Sequence, residues 1–582
     1  MSSPVQPQAT RIFLDGQFQD WQNLAPAYSD PFGDFGQDEI DLDSLWITND
    51  DKFLFFRIQF GQGNINLQSI NNITFYLDSD NNTQTGLKIL GLGADLQWNF
   101  GQRAGVFYTG SNSFPITHSN IGLVTMPTVS ATEFEIALDR FAKPDGSTLL
   151  FANDSLRIAI SSSAAQGDIL PNTGETIKYS FDTTELPLIQ PISIAKRDTS
   201  YLRVLSYNVA RDGLLDSSRL PSFSRIFQAL QPDIIGFQEI FSGTATQTAD
   251  QVAEMLPLPV GMTWHASRID PDIVVVSRFP IEQSFFVHNN GAFLLNLRPE
   301  YDSDLLLIVA HPPCCANDFA RQFEIDAIMA FIRDAKKLGG TLAIEPNTPI
   351  MLIGDFNLVG SPLQLETLLT GRIINTLQHG ASFTPDWDGT FFSDLLPRQT
   401  DSPMFFTWFS TMESFSPGRL DYLIFSNSIL EARNSFVLFT PAMAGDTLAK
   451  HNLQANDATI ASDHLPVVGD FELRMTTGAK TTEQPAIEEF ILVKNYPNPF
   501  NPSTTITYTL PMRFNNAIVT LQIFNVMGGI VRTLVNQRQL AGQHRIRWDA
   551  LNDQGQIVPN SVFFYRLKVG NAVKNGKMLL IQ

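Results

Sequence analysis

Between residues 200 and 475, short apolar runs recur, and each ends on polar side chains. Tyr201-Leu-Arg-Val-Leu-Ser-Tyr-Asn208, Pro232-Asp-Ile-Ile-Gly-Phe-Gln238-Glu239, Asp304-Leu-Leu-Leu-Ile-Val-Ala-His311 and Ile350-Met-Leu-Ile-Gly-Asp355-Phe-Asn357 all follow this pattern. Continuous apolar runs of this length predict strands buried on both faces. Asp272-Ile-Val-Val-Val-Ser-Arg-Phe-Pro280, Arg419-Leu-Asp421-Tyr-Leu-Ile-Phe and Ala461-Ser-Asp463-His464-Leu-Pro-Val-Val add three more. Leu220, Phe223, Ile226, Phe227 and Leu230 are spaced by three or four and predict an amphipathic helix. If the chain stays extended past Gly354, Asp355 and Asn357 share one face while Phe356 turns into the core.

The flanking segments alternate instead. Phe53–Phe60, Ile73–Leu77 and Glu133–Leu138 read as strands separated by Gly, Asn and Asp clusters, which predicts a β-sandwich. Towards the end, Val519–Phe524, His544–Trp548 and Val562–Leu567 predict a second one. Thr476–Pro485 has linker composition. The expected organisation is a β-sandwich module over 1–190, an α/β domain over 200–475, a linker over 476–487 and a β-sandwich over 488–582. An aromatic stretch between Phe383 and Phe409 is read mainly as core, with Phe406-Thr-Trp-Phe409 as a strand preceding Asp421.

Charge narrows the choice of partner. Residues 1–199 carry 11 Lys/Arg against 23 Asp/Glu, and residues 200–475 carry 17 against 31. Residues 487–582 reverse the sign, with 10 against 4. The acidic central segment lacks the broad basic footprint of a tight nucleic-acid binder. No apolar run reaches the roughly 18 residues that span a bilayer, and the first residues show no signal-peptide succession. Cys314 and Cys315 are the two cysteines. They are adjacent, so a disulfide framework is excluded and either redox state stays open.

The strand-end residues suit one chemistry jointly. Metal-assisted phosphoester hydrolysis needs hard oxygen ligands, a group that handles water and donors to the phosphoryl oxygens. Glu239, Asp463 and Asn208 are such ligands. Zinc-type His/Cys clusters, a Gly-x-Ser-x-Gly elbow and a Walker loop are all missing. In the N-terminal module, Asp78, Asp80 and Asn82 alternate along one loop and could hold Ca2+, although the EF-hand pattern fails at Thr83 and Ile89.

Ser206-Tyr-Asn208, Gln238-Glu239, Ser277-Arg-Phe-Pro280, His311, Gly354-Asp355-Phe-Asn357, Arg419-Leu-Asp421-Tyr422 and Ser462-Asp463-His464 resemble the endonuclease/exonuclease/phosphatase superfamily in order and spacing. The resemblance implies a four-layer sandwich, two mainly antiparallel sheets flanked by helices. It implies an active-site Mg2+ or Mn2+, with Ca2+ as the alternative, on Glu239, Asn208 and Asp463. Asp355 would orient or deprotonate the attacking water, and Asn357 would hold it or a phosphoryl oxygen. His464 would contact the phosphate in a tautomer set by Asp421, and His311 would stabilise the transition state or protonate the leaving oxygen. Nucleic acid, a phospholipid head group or a small phosphoester all remain as substrates. The family's deoxyribonuclease branch places a groove-reading arginine where this chain has Phe241, which weakens a duplex-DNA assignment.

Two further resemblances concern the flanks. Leu14-Asp-Gly16, Asp20-Trp21, Trp46-Ile-Thr-Asn-Asp50, the Asp78 loop and Gly93-Ala-Asp95 resemble family 9 carbohydrate-binding sandwiches, whose loop often carries structural calcium. Asn495-Tyr-Pro-Asn-Pro-Phe-Asn-Pro-Ser503 and Asn575-Gly-Lys-Met-Leu-Leu-Ile581 resemble the C-terminal sorting domain of the type IX secretion system. That resemblance implies a secreted or surface-attached protein handled by that machinery.

Overall fold

The computed structural model describes residues 9–581 except 31–32, 34–39, 62, 163–166, 270, 338, 341, 475–490, 499, 511–515, 526–528, 541 and 570–571. The expected linker at 476–487 therefore lies outside the described residues. The chain divides into two units, 1–476 and 477–582.

In the central domain the strands are, in chain order, β1 (Leu202–Asn208), β2 (Ile234–Gln238), β3 (His265–Ile269), β4 (Ile273–Ser277), β5 (Ile281–Val287), β6 (Asn290–Asn296), β7 (Asp304–Ala310), β8 (Ile350–Asp355), β9 (Ser393–Asp394), β10 (Asp421–Phe425), β11 (Leu430–Val437) and β12 (Val467–Leu473). Three helices matter for the site: α1 (Leu220–Leu230), α2 (Ala245–Met255) and α3 (Asp318–Ala335). One six-stranded sheet has the order β3-β4-β2-β1-β12-β11 and the other β5-β6-β7-β8-β10-β9. Each contains one parallel pair, β1 with β2 and β7 with β8, among antiparallel neighbours.

The continuous apolar runs are explained by two-sided burial. On β1, β2, β7 and β8, residues such as Val204, Ile234, Leu307, Val309, Met351 and Ile353 fill the space between the sheets. Their neighbours turn the other way. Leu205, Tyr207, Ile235 and Phe237 meet Phe223, Ile226 and Phe227 of α1, while Leu306, Ile308 and Leu352 meet Ile325, Ile328 and Ile332 of α3. Each fully buried Leu, Ile or Phe stabilises this stack by about 1.5–3 kcal/mol. Arg203 of β1 is also buried. It pairs with its cross-strand partner Asp470 of β12 through Nε–Oδ1 (2.6 Å) and Nη2–Oδ2 (2.7 Å).

The N-terminal segment forms the expected two-sheet sandwich, with strands at Phe53–Phe60, Thr74–Asp78 and Glu133–Asp139. Trp21 and Trp98 are 1% and 3% exposed, so they are core rather than platforms. This sandwich is not a detached module. Ile12, Leu14, Trp21, Phe55 and Met126 share one apolar cluster with Met404, Phe406, Val437, Leu465 and Val467 of the central domain. Around that cluster, Thr128 Oγ1 donates to the carbonyls of Leu358 (2.9 Å) and Arg419 (3.2 Å). Asn66 Nδ2 donates to Val359 O and Ser130 N to Gly360 O. The sandwich thus grips the segments just after Asn357 and just before Asp421.

The same packing explains a departure from the sequence reading. Phe406–Phe409 is not a strand: Trp408 makes only isolated bridges, to Gly418 and His464. Phe406 stacks on Phe409 and meets Phe439 edge-on, serving the shared cluster instead of a sheet face.

In the second unit, a three-stranded sheet (Ile491–Tyr496, Thr504–Leu510, Gly542–Trp548) and a four-stranded sheet (Ile530–Gln539, Ala517–Phe524, Ser561–Val569, Ala572–Leu580) enclose a core around Tyr508, Leu521, Trp548, Phe563 and Met578. Among the described residues, no helix is long and apolar enough to cross a membrane.

Candidate active site

The C-terminal ends of β1 and β8 lie in different sheets, yet their last residues touch. Asn208 Nδ2 donates to Asp355 Oδ2 at 3.1 Å and to Glu239 Oε1 at 3.1 Å. Backbone geometry aims these groups. Glu239 follows β2 with φ +63, and Ala210, Arg211 and Asp212 follow β1 with φ between +48 and +62. Non-glycine residues adopt that region at a cost of order 1–3 kcal/mol each, and such strain gathers at functional sites. Here it turns the Arg211 N–H onto Glu239 Oε2 at 2.8 Å. Arg219 braces the turn by donating to the Val209, Ala210 and Ala461 carbonyls.

Gly354 precedes the central carboxylate with φ +139, and a Cβ there would lie 2.0 Å from Ala310 O. Only glycine lets β8 approach β7 this closely. The extended conformation then stops at Asp355. Asn357 has φ +51, and its carboxamide donates to Pro312 O at 3.0 Å, while its own N–H donates to Asp355 Oδ1. Asp355 and Asn357 are therefore neighbours through a turn, not through strand alternation as expected. Phe356 is buried against Tyr422, as the sequence suggests.

Two carboxylate–imidazole pairs converge on Asp355. His464 Nδ1 lies 2.8 Å from Asp421 Oδ2 and its Nε2 lies 3.4 Å from Asp355 Oδ2. His311 Nδ1 lies 2.6 Å from Asp272 Oδ2 and its Nε2 lies 3.5 Å from the same Asp355 oxygen. Asp421 is placed by its register opposite Asp355 and accepts from Thr407 Oγ1 at 2.7 Å. Ser462 Oγ donates to Asn208 O and receives the His464 N–H, so the Ser-Asp-His segment is tied to the end of β1.

These surroundings set the charges. Burial raises the Asp355 carboxyl to about 6, against the pull of the His464 and His311 charges. Burial acts to lower both imidazoles, but their carboxylate neighbours override it: Asp272, Asp355 and Glu239 bring His311 to about 9, and Asp421, Asp355 and Asp463 bring His464 to about 10. Both rings are cationic at neutrality and face one carboxylate close to its titration point.

The donor set fits a divalent cation. The carboxylates of Asp355 and Asp421 lie within 4.8 Å of one another beside the cationic His464 ring, and the buried Asp421 Oδ1 has no hydrogen-bond partner. Glu239 and Asn208 adjoin this group. Asp463 Oδ2 accepts from the Trp408 indole at 3.2 Å. In the N-terminal sandwich, Asp78 and Asp80 gather with Asp95, and the buried Asp78 Oδ2 is unpartnered. The Asn82 side-chain oxygen accepts from Gln84 N.

Sequence reasoning missed Asp272 as a functional residue. It reads as the polar residue that opens β4, and only the fold carries it beneath His311, where it also accepts from the Glu239 N–H at 3.2 Å. Cys314 and Cys315 form a vicinal disulfide in the exposed loop after His311.

The central domain is a layered α/β sandwich with carboxylates and imidazoles gathered at one edge of its sheets. Residues 205–464 match the Endonuclease/Exonuclease/phosphatase family. No curated protein matches the chain. Similar solved structures include D. rerio TDP2 complexed with single-strand DNA product, at 14% identity, covering 47% of this chain and 100% of that one with a TM-score of 0.31. An endonuclease/exonuclease/phosphatase from Beutenbergia cavernae shows 16% identity, 65% and 100% coverage and a TM-score of 0.30. A Staphylococcus aureus beta toxin mutant with bound magnesium ions shows 15% identity, 46% and 99% coverage and a TM-score of 0.28.

Proposed function

We propose that this chain is a secreted, divalent-metal-dependent phosphodiesterase that hydrolyses its substrate by in-line attack of water. The observation that carries the reading is the convergence of the His311 and His464 imidazoles on Asp355, beside Glu239 and Asn208. Asp355 accepts the proton of the attacking water, a role suited by a carboxyl near 6. Asn357 holds that water or a phosphoryl oxygen. The Nε2–H of His464 stabilises charge on the phosphoryl oxygens, and that of His311 protonates the leaving oxygen as the ester bond breaks. Asp421 and Asp272 keep both rings oriented. Glu239, Asn208 and Asp463 would hold the cation, which supplies charge neutralisation at the phosphoryl group when bound. Mg2+ or Mn2+ suits these oxygen ligands, with Ca2+ as the alternative.

The test is hydrolysis of bis(p-nitrophenyl) phosphate by the folded chain. Turnover that needs added Mg2+, Mn2+ or Ca2+ and stops in EDTA is expected; no turnover with any of the three ions overturns the reading.

The C-terminal sandwich is proposed as a type IX sorting domain, resting on its sequence motifs and its change of charge sign. In a bacterium with that system, a reporter placed behind a signal peptide and fused to residues 488–582 is expected in the medium or at the cell surface. Retention of that fusion in the periplasm, alongside a reporter without the domain, overturns the assignment.

A further inference from the structure

A cleft of about 620 Å³ opens beside the site, and the two share Asp463. Phe409, Met412 and Pro441 supply apolar surface, while Asn456 and Thr459 supply neutral polar groups. Among the described residues, Asp463 is the one charged residue in its lining, and no lysine, arginine or histidine lines it.

One wall is held from outside the catalytic domain. The stretch after Met412 is pinned by the N-terminal sandwich: His118 Nε2 lies 3.1 Å from Glu413 O, Arg103 Nε donates to Ser414 Oγ at 3.0 Å, and the Arg103 guanidinium lies 4.1 Å above the Phe415 ring. Gln68 and Thr125 hold Ser416. Met412 is 90% exposed, its N–H donates to Ser410 Oγ at 3.2 Å, and it directly precedes this pinned stretch. The Phe409–Met412 wall therefore runs directly into an anchored segment, although no local sequence signal marks it.

We infer that this cleft receives a substituent carried by the reacting phosphate and selects substituents that lack a second phosphate. The inference rests on the phosphodiesterase reading and deepens it. A polynucleotide bound here would bring a neighbouring phosphate against a lining without cationic side chains. Phosphates along a nucleic acid are ordinarily met by Lys or Arg. An uncharged or cationic substituent with both apolar and hydrogen-bonding surface meets no such obstacle. The proposed substrate class is an isolated phosphodiester, not a nucleic-acid polymer.

Two esters isolate the charge: thymidine 5′-(p-nitrophenyl phosphate), with and without a 3′-phosphate. Bis(p-nitrophenyl) phosphate reports catalysis itself. The 3′-phosphate is expected to lower kcat/KM at least tenfold, mainly through KM, and Asn456→Lys is expected to recover a large part of that loss. Equal or better turnover of the 3′-phosphorylated ester overturns the inference. So does a penalty left unchanged in folded Asn456→Lys, or cleavage of bis(p-nitrophenyl) phosphate with neither thymidine ester accepted. Absence of turnover on all three esters overturns the phosphodiesterase reading, and this inference with it.

Discussion

Asp355→Asn is expected to lower kcat/KM by a factor of about 10³ or more while leaving the fold intact. A positioned general base ordinarily contributes 10²–10⁴. Here the same carboxylate also organises the site, because Asn208 and both imidazoles point at its Oδ2. The replacement keeps shape and removes basicity. Burial already opposes charge at this position, so no large loss of stability should follow, and circular dichroism should match the parent chain. Steady-state hydrolysis of bis(p-nitrophenyl) phosphate with saturating metal decides the matter. Activity within tenfold of the parent would remove Asp355 from the water-handling role.

Calcium is expected to stabilise residues 1–476 by about 2.7 kcal/mol at a hundredfold excess over its Kd. Burial raises the Asp95 carboxyl to about 6 and also raises that of Asp78. For a carboxyl whose folded value lies above its unfolded value of about 4, stability without a cation falls as pH rises from about 4 to about 6. A Ca2+ ion on Asp78, Asp80 and Asp95 would offset that loss and give the unpartnered Asp78 Oδ2 a ligand. Because the sandwich shares an apolar cluster with the catalytic domain, the gain should appear in the unfolding of both. Thermal melts at pH 7 should rise by a few degrees from EDTA to Ca2+ in the parent chain, and not in Asp78→Asn/Asp95→Asn. Superimposable melts of the parent in EDTA and Ca2+ would rule out the site.

What could be seen beforehand follows from how local each signal is. β1, β2, β7 and β8 were legible because both their faces are buried, which leaves unbroken apolar runs with the functional residue next in sequence. The α1 helix was legible from its one-sided apolar spacing. The longer α3 was not, since Arg321, Gln322, Glu324 and Asp326 are buried alongside its apolar residues and blur the pattern. The same holds at the site. Asn208, Glu239, His311, Asp355 and Asp421 lie at strand ends and His464 lies just before β12, each beside polar neighbours in sequence, whereas Asp272, also at a strand end, acquires a role only when β4 lies beside β2 and the second sheet brings His311 above it. The grip of Thr128, Asn66 and Ser130 on residues 358–360 and 419 joins segments more than 200 residues apart, and each of these residues alone looks like an ordinary turn position.

The turn at Asn357 shows how a correct choice of residue can rest on an incorrect geometry. Alternation predicts a shared face for Asp355 and Asn357, but the left-handed backbone at Asn357 sends its carboxamide to Pro312 O, beside His311. Asn357 therefore links the β8 end to the β7 end and orders the loop that carries one of the two imidazoles.

The most direct measurement is the rate of bis(p-nitrophenyl) phosphate hydrolysis by the parent chain and by Glu239→Gln, titrated with Mg2+, Mn2+ and Ca2+ after removal of metal by EDTA. The expected result is no turnover in EDTA, saturable recovery with at least one ion in the parent, and a loss of several orders of magnitude in folded Glu239→Gln. Turnover that is indifferent to EDTA, or a Glu239→Gln variant that matches the parent at every metal concentration, would contradict the account.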